Sequence, residues 1–202
     1  SLEDEEEDEA VSAMVEKVTS GATSALGRIK ISGYDSSHLT SMVEKVTAGA
    51  TSSLGKIKMD GYDAGDLSGM LEKVTAGATA ALGNIKMDGF SADNLSSMVE
   101  KVTSGATAAI SRIQMNGFSS DNLTSMIENV KTGAKGSLGK IKMEGYNPNN
   151  KPAGLENSVN TGASKGLDKQ PPMLKEITAV KTPTSETTPS YVFNSNKSGK
   201  IT

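Results

Sequence analysis

The sequence predicts an all-α chain: a tandem array of about five to six amphipathic helices on a 28-residue repeat, solenoid-like or extended. Three observations carry this. Near-identical segments begin at Met14, Met42, Met70, Met98 and Met126, each 28 residues after the last. Within a segment the apolar residues recur at helical spacing. Each segment closes on a Gly followed by Tyr or Phe.

Residues 1–10 come first, with acids at every position from Glu3 to Glu9. Such a charge run reads as a disordered, solvated arm. It holds seven of the 24 acids, leaving 17 against 21 bases, so the body is mildly basic although the net charge is -3.

The five-repeat array spans residues 11–150, and the second copy shows its logic. Leu39, Met42, Val43, Val46, Ala50, Leu54 and Ile57 fall on one face at about 100° per residue. They predict one amphipathic helix of about 20 residues. Ser36 or Ser37, and in later copies Asp63, Ser91 and Ser119, are good helix N-caps. Gly33, Gly61, Gly89, Gly117 and Gly145 are the expected helix stops, because a left-handed Gly ends a helix and the next apolar residue folds back on it. Tyr34, Tyr62, Phe90, Phe118 and Tyr146 fit that folding-back role. The expected packing or partner face is Leu39, Met42, Val43, Val46, Leu54, Ile57, Met70, Leu71, Val74, Leu82, Ile85, Met98, Val99 and Val102, with Thr on the polar face.

An α/β alternative stands beside this. Gly27, Gly55, Gly83 and Gly139 could end the helix early, leaving Lys56–Met59 as a short strand in each repeat of a solenoid. Ser111 at that position in the fourth copy argues against a left-handed Gly requirement there.

Residues 151–169 carry a decayed sixth copy, LENSVNTGASKGLDK, slipped by one residue. Residues 170–202, with Pro171-Pro172 and TPTSETTP, read as a disordered tail. Thr182-Pro183 and Thr188-Pro189 are candidate phosphorylation dipeptides, and Tyr191-Val192-Phe193 is a candidate docking spot.

Composition narrows the function. Aromatics are 3% of residues and Trp is absent, so any core is thin and aliphatic. Without Cys there is no disulfide or thiolate site. No apolar run reaches the roughly 20 residues of a membrane span. His38 is the one His, so it supports neither a zinc site nor a catalytic dyad. Gly49 to Lys56 has five residues between glycines where a phosphate-binding loop needs four. Asp60, Asp63 and Asp66 miss the calcium-loop pattern. No catalytic, cofactor or metal residues are expected, and no nucleic-acid site, because basic residues are dispersed. Sequons at Asn94, Asn122 and Asn196 lean the localisation weakly toward secretion.

One unit alone buries too little to offset its ordering entropy, so it needs neighbours or a foreign surface. Short loops favour antiparallel neighbours, whereas near-identical copies favour identical surroundings. The expected function is a non-enzymatic structural or interaction protein. Its helical repeats would present equivalent apolar faces for self-packing or for a repetitive protein partner. The alternative is an amphipathic-helix protein that folds on a lipid surface. Lys45, Lys56 and Lys58 flank the apolar arc and can snorkel toward headgroups. The EK…G…GK…K cadence faintly resembles synuclein-like and perilipin-like repeats, although those run in multiples of 11 residues, which 28 is not.

Overall fold

The computed structural model describes residues 2–150, 153–172, 174–178, 192–195 and 197–198. It is an all-α array of six helices: α1 (Leu2–Ala25), α2 (Leu39–Ser53), α3 (Leu67–Ala81), α4 (Leu95–Ala109), α5 (Leu123–Ser137) and α6 (Ala153–Lys169). Their packing follows a rule the repeat does not announce. Each helix packs side by side with the one two places along, α1 with α3, α3 with α5, α2 with α4 and α4 with α6. Odd helices form one layer and even helices the other. One core joins the C-terminal ends of odd helices (Leu26, Leu82, Leu138) to the N-terminal ends of even ones (Leu39, Leu95, Leu155). A second core joins the opposite ends, with Leu54 and Ile110 against Leu67, Leu71 and Leu123. The layers therefore run antiparallel. This resolves the tension between short loops and identical copies: successive helices reverse direction, yet every interior unit sees the same neighbours.

Each unit is built the same way. Asp35 is extended (φ -142°) and its carboxylate accepts the Ser37 N–H at 2.9 Å, so the N-cap lies one residue before the expected Ser36. The residue three further on returns the favour, as a capping box does. His38 Nδ1 accepts the Asp35 N–H at 3.2 Å, Asp66 that of Asp63 at 2.8 Å and Asn94 that of Ser91 at 2.9 Å. This gives His38 and the acids of the loop a structural role at the helix start. The sequon residues Asn94 and Asn122 serve there too.

The helix stop differs from expectation. Each 15-residue helix ends before a single 3₁₀ turn such as Leu54–Lys56, and Ile57 is already extended. Gly61 does take a left-handed φ of +81°, as do Gly33, Gly89, Gly117 and Gly145. These glycines sit well beyond the helix, as the third residue of a turn closed by Tyr62 N–H on the Met59 carbonyl at 3.2 Å. A positive φ there is what a type II turn requires. The Tyr62 hydroxyl reaches back to the Leu54 carbonyl at 2.9 Å, and Tyr34 and Tyr146 do likewise to Leu26 and Leu138.

The earlier glycines answer to packing. A Cβ on Gly55 would lie 2.6 Å from the carbonyl oxygen of Gln114, and one on Gly83 2.7 Å from the Lys142 nitrogen. The extended stretch after each helix thus passes over the glycine two units back. The fourth copy has Ser111 at this position, and its hydroxyl donates to the Ala108 carbonyl at 3.2 Å. These stretches form no strands. Among the described residues the strand pair lies in the tail instead.

That tail corrects one expectation. β1 (Leu174–Thr178) and β2 (Val192–Ser195) pair antiparallel within the segment read as disordered. Composition over the whole tail hid two short stretches containing Ile, Thr, Val and Phe, which suit a ladder. Lys197 Nζ donates to the Asp168 and Gln170 carbonyls at the end of α6. The acidic run likewise differs from a separate arm: it forms the first turns of α1, with Glu5 to Glu7 exposed. The two Thr-Pro dipeptides and Tyr191 lie outside the described residues.

The threonines are a further correction. Thr19, Thr23, Thr47, Thr51, Thr75, Thr79, Thr103 and Thr107 are all buried, not on a polar face. Most of their hydroxyls donate to the carbonyl four residues back, as Thr75 to Leu71 at 2.8 Å, so a helix can bury Thr between two neighbours without an orphaned donor. Thr107 Oγ1 is buried without a partner. Thr107→Val is therefore expected to raise stability by about 0.5–1 kcal/mol, since it removes an unsatisfied polar atom at constant shape. Thr75→Val is expected to gain nothing, and denaturant titration of the two variants checks the contrast.

Candidate interaction face

The side-by-side contact has two unlike faces. One face of each helix carries the Gly of a Gly-Ala pair, followed by Thr in α1 to α4. A Cβ on Gly77 would come within 2.6 Å of the Glu16 carbonyl oxygen, and Gly105 and Gly133 sit equally tightly on Glu44 and Glu72. Glycine is required there for close approach of two backbones. The other face offers the Glu carbonyl and the buried threonines, which on α4 meet Gly162 and Gly166 of α6. Ion pairs stitch the edge: Lys73 to Glu16 at 3.6 Å, Lys101 to Glu44 at 3.2 Å and Lys165 to Glu100 at 2.5 Å. Lys169 also pairs with Glu44. Burial pushes the Glu44 carboxyl up, but the hydrogen bonds from Lys169 and Lys101 outweigh it and hold the group below its ordinary range.

The expected packing face divides along this geometry. Leu39, Val43, Leu54, Met70, Leu71, Val74, Leu82, Ile85, Met98, Val99 and Val102 are buried. Met42, Val46 and Ile57 are half-buried, and all three belong to the second unit. Among the described residues no helix covers the glycine face of α1 or α2. Gly21 and Gly49 have nothing within 4 Å of where a Cβ would stand. Met14 is 63% exposed and Val18 69%, where their counterparts Met70 and Val74 are 1% and 0%. A groove of about 720 Å³ results, floored by Val15, Val18, Ala22, Val46, Ala50 and Ile57 and edged by Lys45 and Lys58.

The opposite end of the array is built differently. Where interior helices have two threonines, α5 has Lys131 and Lys135, and α6 has Asn160 and Ser164. Lys131 pairs with Glu128 of its own helix at 2.7 Å, while Asn160 and Ser164 are exposed. Polar residues on the last units are what a repeat array needs to end in water. The expected residue set included Val46, Leu54 and Ile57 of the open groove but none of its α1 residues, and none at the far end. The Thr-to-Lys change is visible in the fifth copy's VKTGAK against VTSGAT, but its meaning depends on knowing which face lacks a neighbour. Nothing in the first two copies marks their faces as open.

No family model, curated protein or solved structure matches the chain.

The tyrosine ties give the array an alkaline limit. Burial, with Asp66 second, pushes the Tyr62 hydroxyl up to about 12, and burial also raises Tyr34 and Tyr146. A folded-state value above the ordinary 10.0 favours the protonated form in the native state. This stabilisation is complete below about pH 10 and is lost as pH rises through about 12. Replacing Tyr34, Tyr62 and Tyr146 together with Phe is expected to flatten the fall in melting temperature over that window. It should also lower stability at neutral pH by about 1 kcal/mol per lost hydrogen bond.

Proposed function

We propose that the chain is a non-enzymatic structural scaffold that uses most of its apolar repeat face for self-packing and keeps one end open for a protein partner. The observation that carries this is the α1–α2 groove. Met14 and Val18 are exposed there although their interior counterparts are fully buried. An apolar face left uncovered at one end, with polar substitutions at the other, is the pattern of an interaction surface.

The lipid-surface reading retains one supporting feature, the lysines Lys45 and Lys58 beside that groove. Circular dichroism with and without anionic vesicles separates the two. High helicity and cooperative melting in buffer alone support the scaffold. A coil in buffer that becomes helical on vesicles overturns it. Removal of repeats from the array should lower stability stepwise, because each added helix contributes an interface to the helix two places away.

A further inference from the structure

We propose that the α1–α2 face is an acceptor for further helices of this same repeat type, and that Lys131 and Lys135 seal the far end so that the array accepts at one end. The proposal rests on the scaffold reading above and names the partner's chemistry. The interior of the molecule is the template. The glycine face of α3 and α4 carries nearly the same residues as that of α1 and α2, and it is covered by α1 and α2 themselves. The covering surface brings three features: a main-chain Glu carbonyl against the Gly, buried threonines, and a Glu carboxylate for the Lys. At the open end each finds its counterpart waiting. Gly21 and Gly49 have room for a backbone. Lys17 and Lys45 occupy the positions of Lys73 and Lys101, which pair with Glu16 and Glu44 of the covering helix. The partner is therefore a helix pair with Glu, then Thr three and seven residues later, on its outer face.

A second copy does not fit. Its Glu-and-Thr faces are covered internally, save at α5 and α6. There Lys131 and Lys135 replace the threonines and would be driven against Gly21 and toward Lys17 of the next copy. Like charges and two long side chains at a glycine contact oppose that stacking, and this also prevents open-ended head-to-tail growth.

The test uses full-length chains. A donor carries Lys131→Thr, Lys135→Thr, Asn160→Thr and Ser164→Thr to restore the covering face, with Val18→Glu to block its own acceptor end. The acceptor is the natural sequence. Sedimentation velocity of the mixture is expected to show a 1:1 complex, weakened at least tenfold when the acceptor also carries Val18→Glu. Circular dichroism of each chain confirms that both are folded. Folded chains that give no complex overturn the acceptor proposal and leave the scaffold reading standing, whereas unfolded natural chain in buffer overturns the scaffold reading. The proposal is also overturned if the natural chain alone dimerises or polymerises with concentration, or if it binds anionic vesicles through this face. It is overturned as well if a donor retaining Lys131 and Lys135 binds as tightly.

Discussion

Gly105→Ala is expected to destabilise the array by about 2 kcal/mol, whereas Gly49→Ala, at the same place in the repeat, is expected to stabilise it by up to about 1 kcal/mol. Both substitutions improve helix propensity by roughly 1 kcal/mol. At Gly49 nothing opposes that gain, because no atom outside the local helical backbone lies within 4 Å of the new methyl. At Gly105 the methyl falls on the Glu44 carbonyl and α-carbon, and main chain cannot swing aside as a side-chain tip can. The two helices must separate, and such overpacking of main chain on main chain costs about 3 kcal/mol, the upper end of the usual range, leaving a net loss of about 2 kcal/mol. For a chain of this size the opposite signs should appear as melting temperatures about 4–12 °C apart. Equal effects at the two sites would contradict the packing of each helix on the one two places along.

Met98→Ala is expected to cost about 2–5 kcal/mol, as large-to-small changes in a core do. Met14→Ala should fall within about 0.5 kcal/mol of zero, as exposed substitutions do. Met98 is 2% exposed and Met14 63%, though the two align in the repeat. Met70 and Met126 are buried like Met98 and should behave like it. Chemical denaturation of the four single variants checks the gradient. A uniform loss would mean that α1 has a covering neighbour in solution, and adding Val18→Glu to Met14→Ala would then reveal it.

The helical class of the chain was legible because period and turn signals agree in every copy. The burial of Leu39, Val43, Leu71 and Val99 followed from a single helical projection. The loop chemistry was half legible: Gly61 needed a positive φ, as its place before Tyr62 suggested, but the turn it makes lies past a 3₁₀ segment that no spacing rule predicts. The threonines were misplaced because a projection ranks residues by polarity. It cannot know that a hydroxyl bonded to its own helix counts as nearly apolar at a close helix contact. The interaction face was least legible. Met14 and Met98 have the same local sequence, and what separates them is the presence of a neighbour, a property of position in the array. Lys131 and Lys135 were readable as departures from pattern, yet a departure acquires meaning once the direction of stacking is known.

The pairing of each helix with the one two places on also sets a clock for synthesis. Gly77 meets the carbonyl of Glu16, 61 residues earlier in the chain. At about 5–20 residues per second, a newly made helix waits roughly 3–12 s for the segment that covers it. During that interval its threonine and apolar flanks are open to other nascent chains. Translation speed, and the chaperones that meet the emerging chain, thereby become part of what decides whether the rows assemble within one molecule or between two.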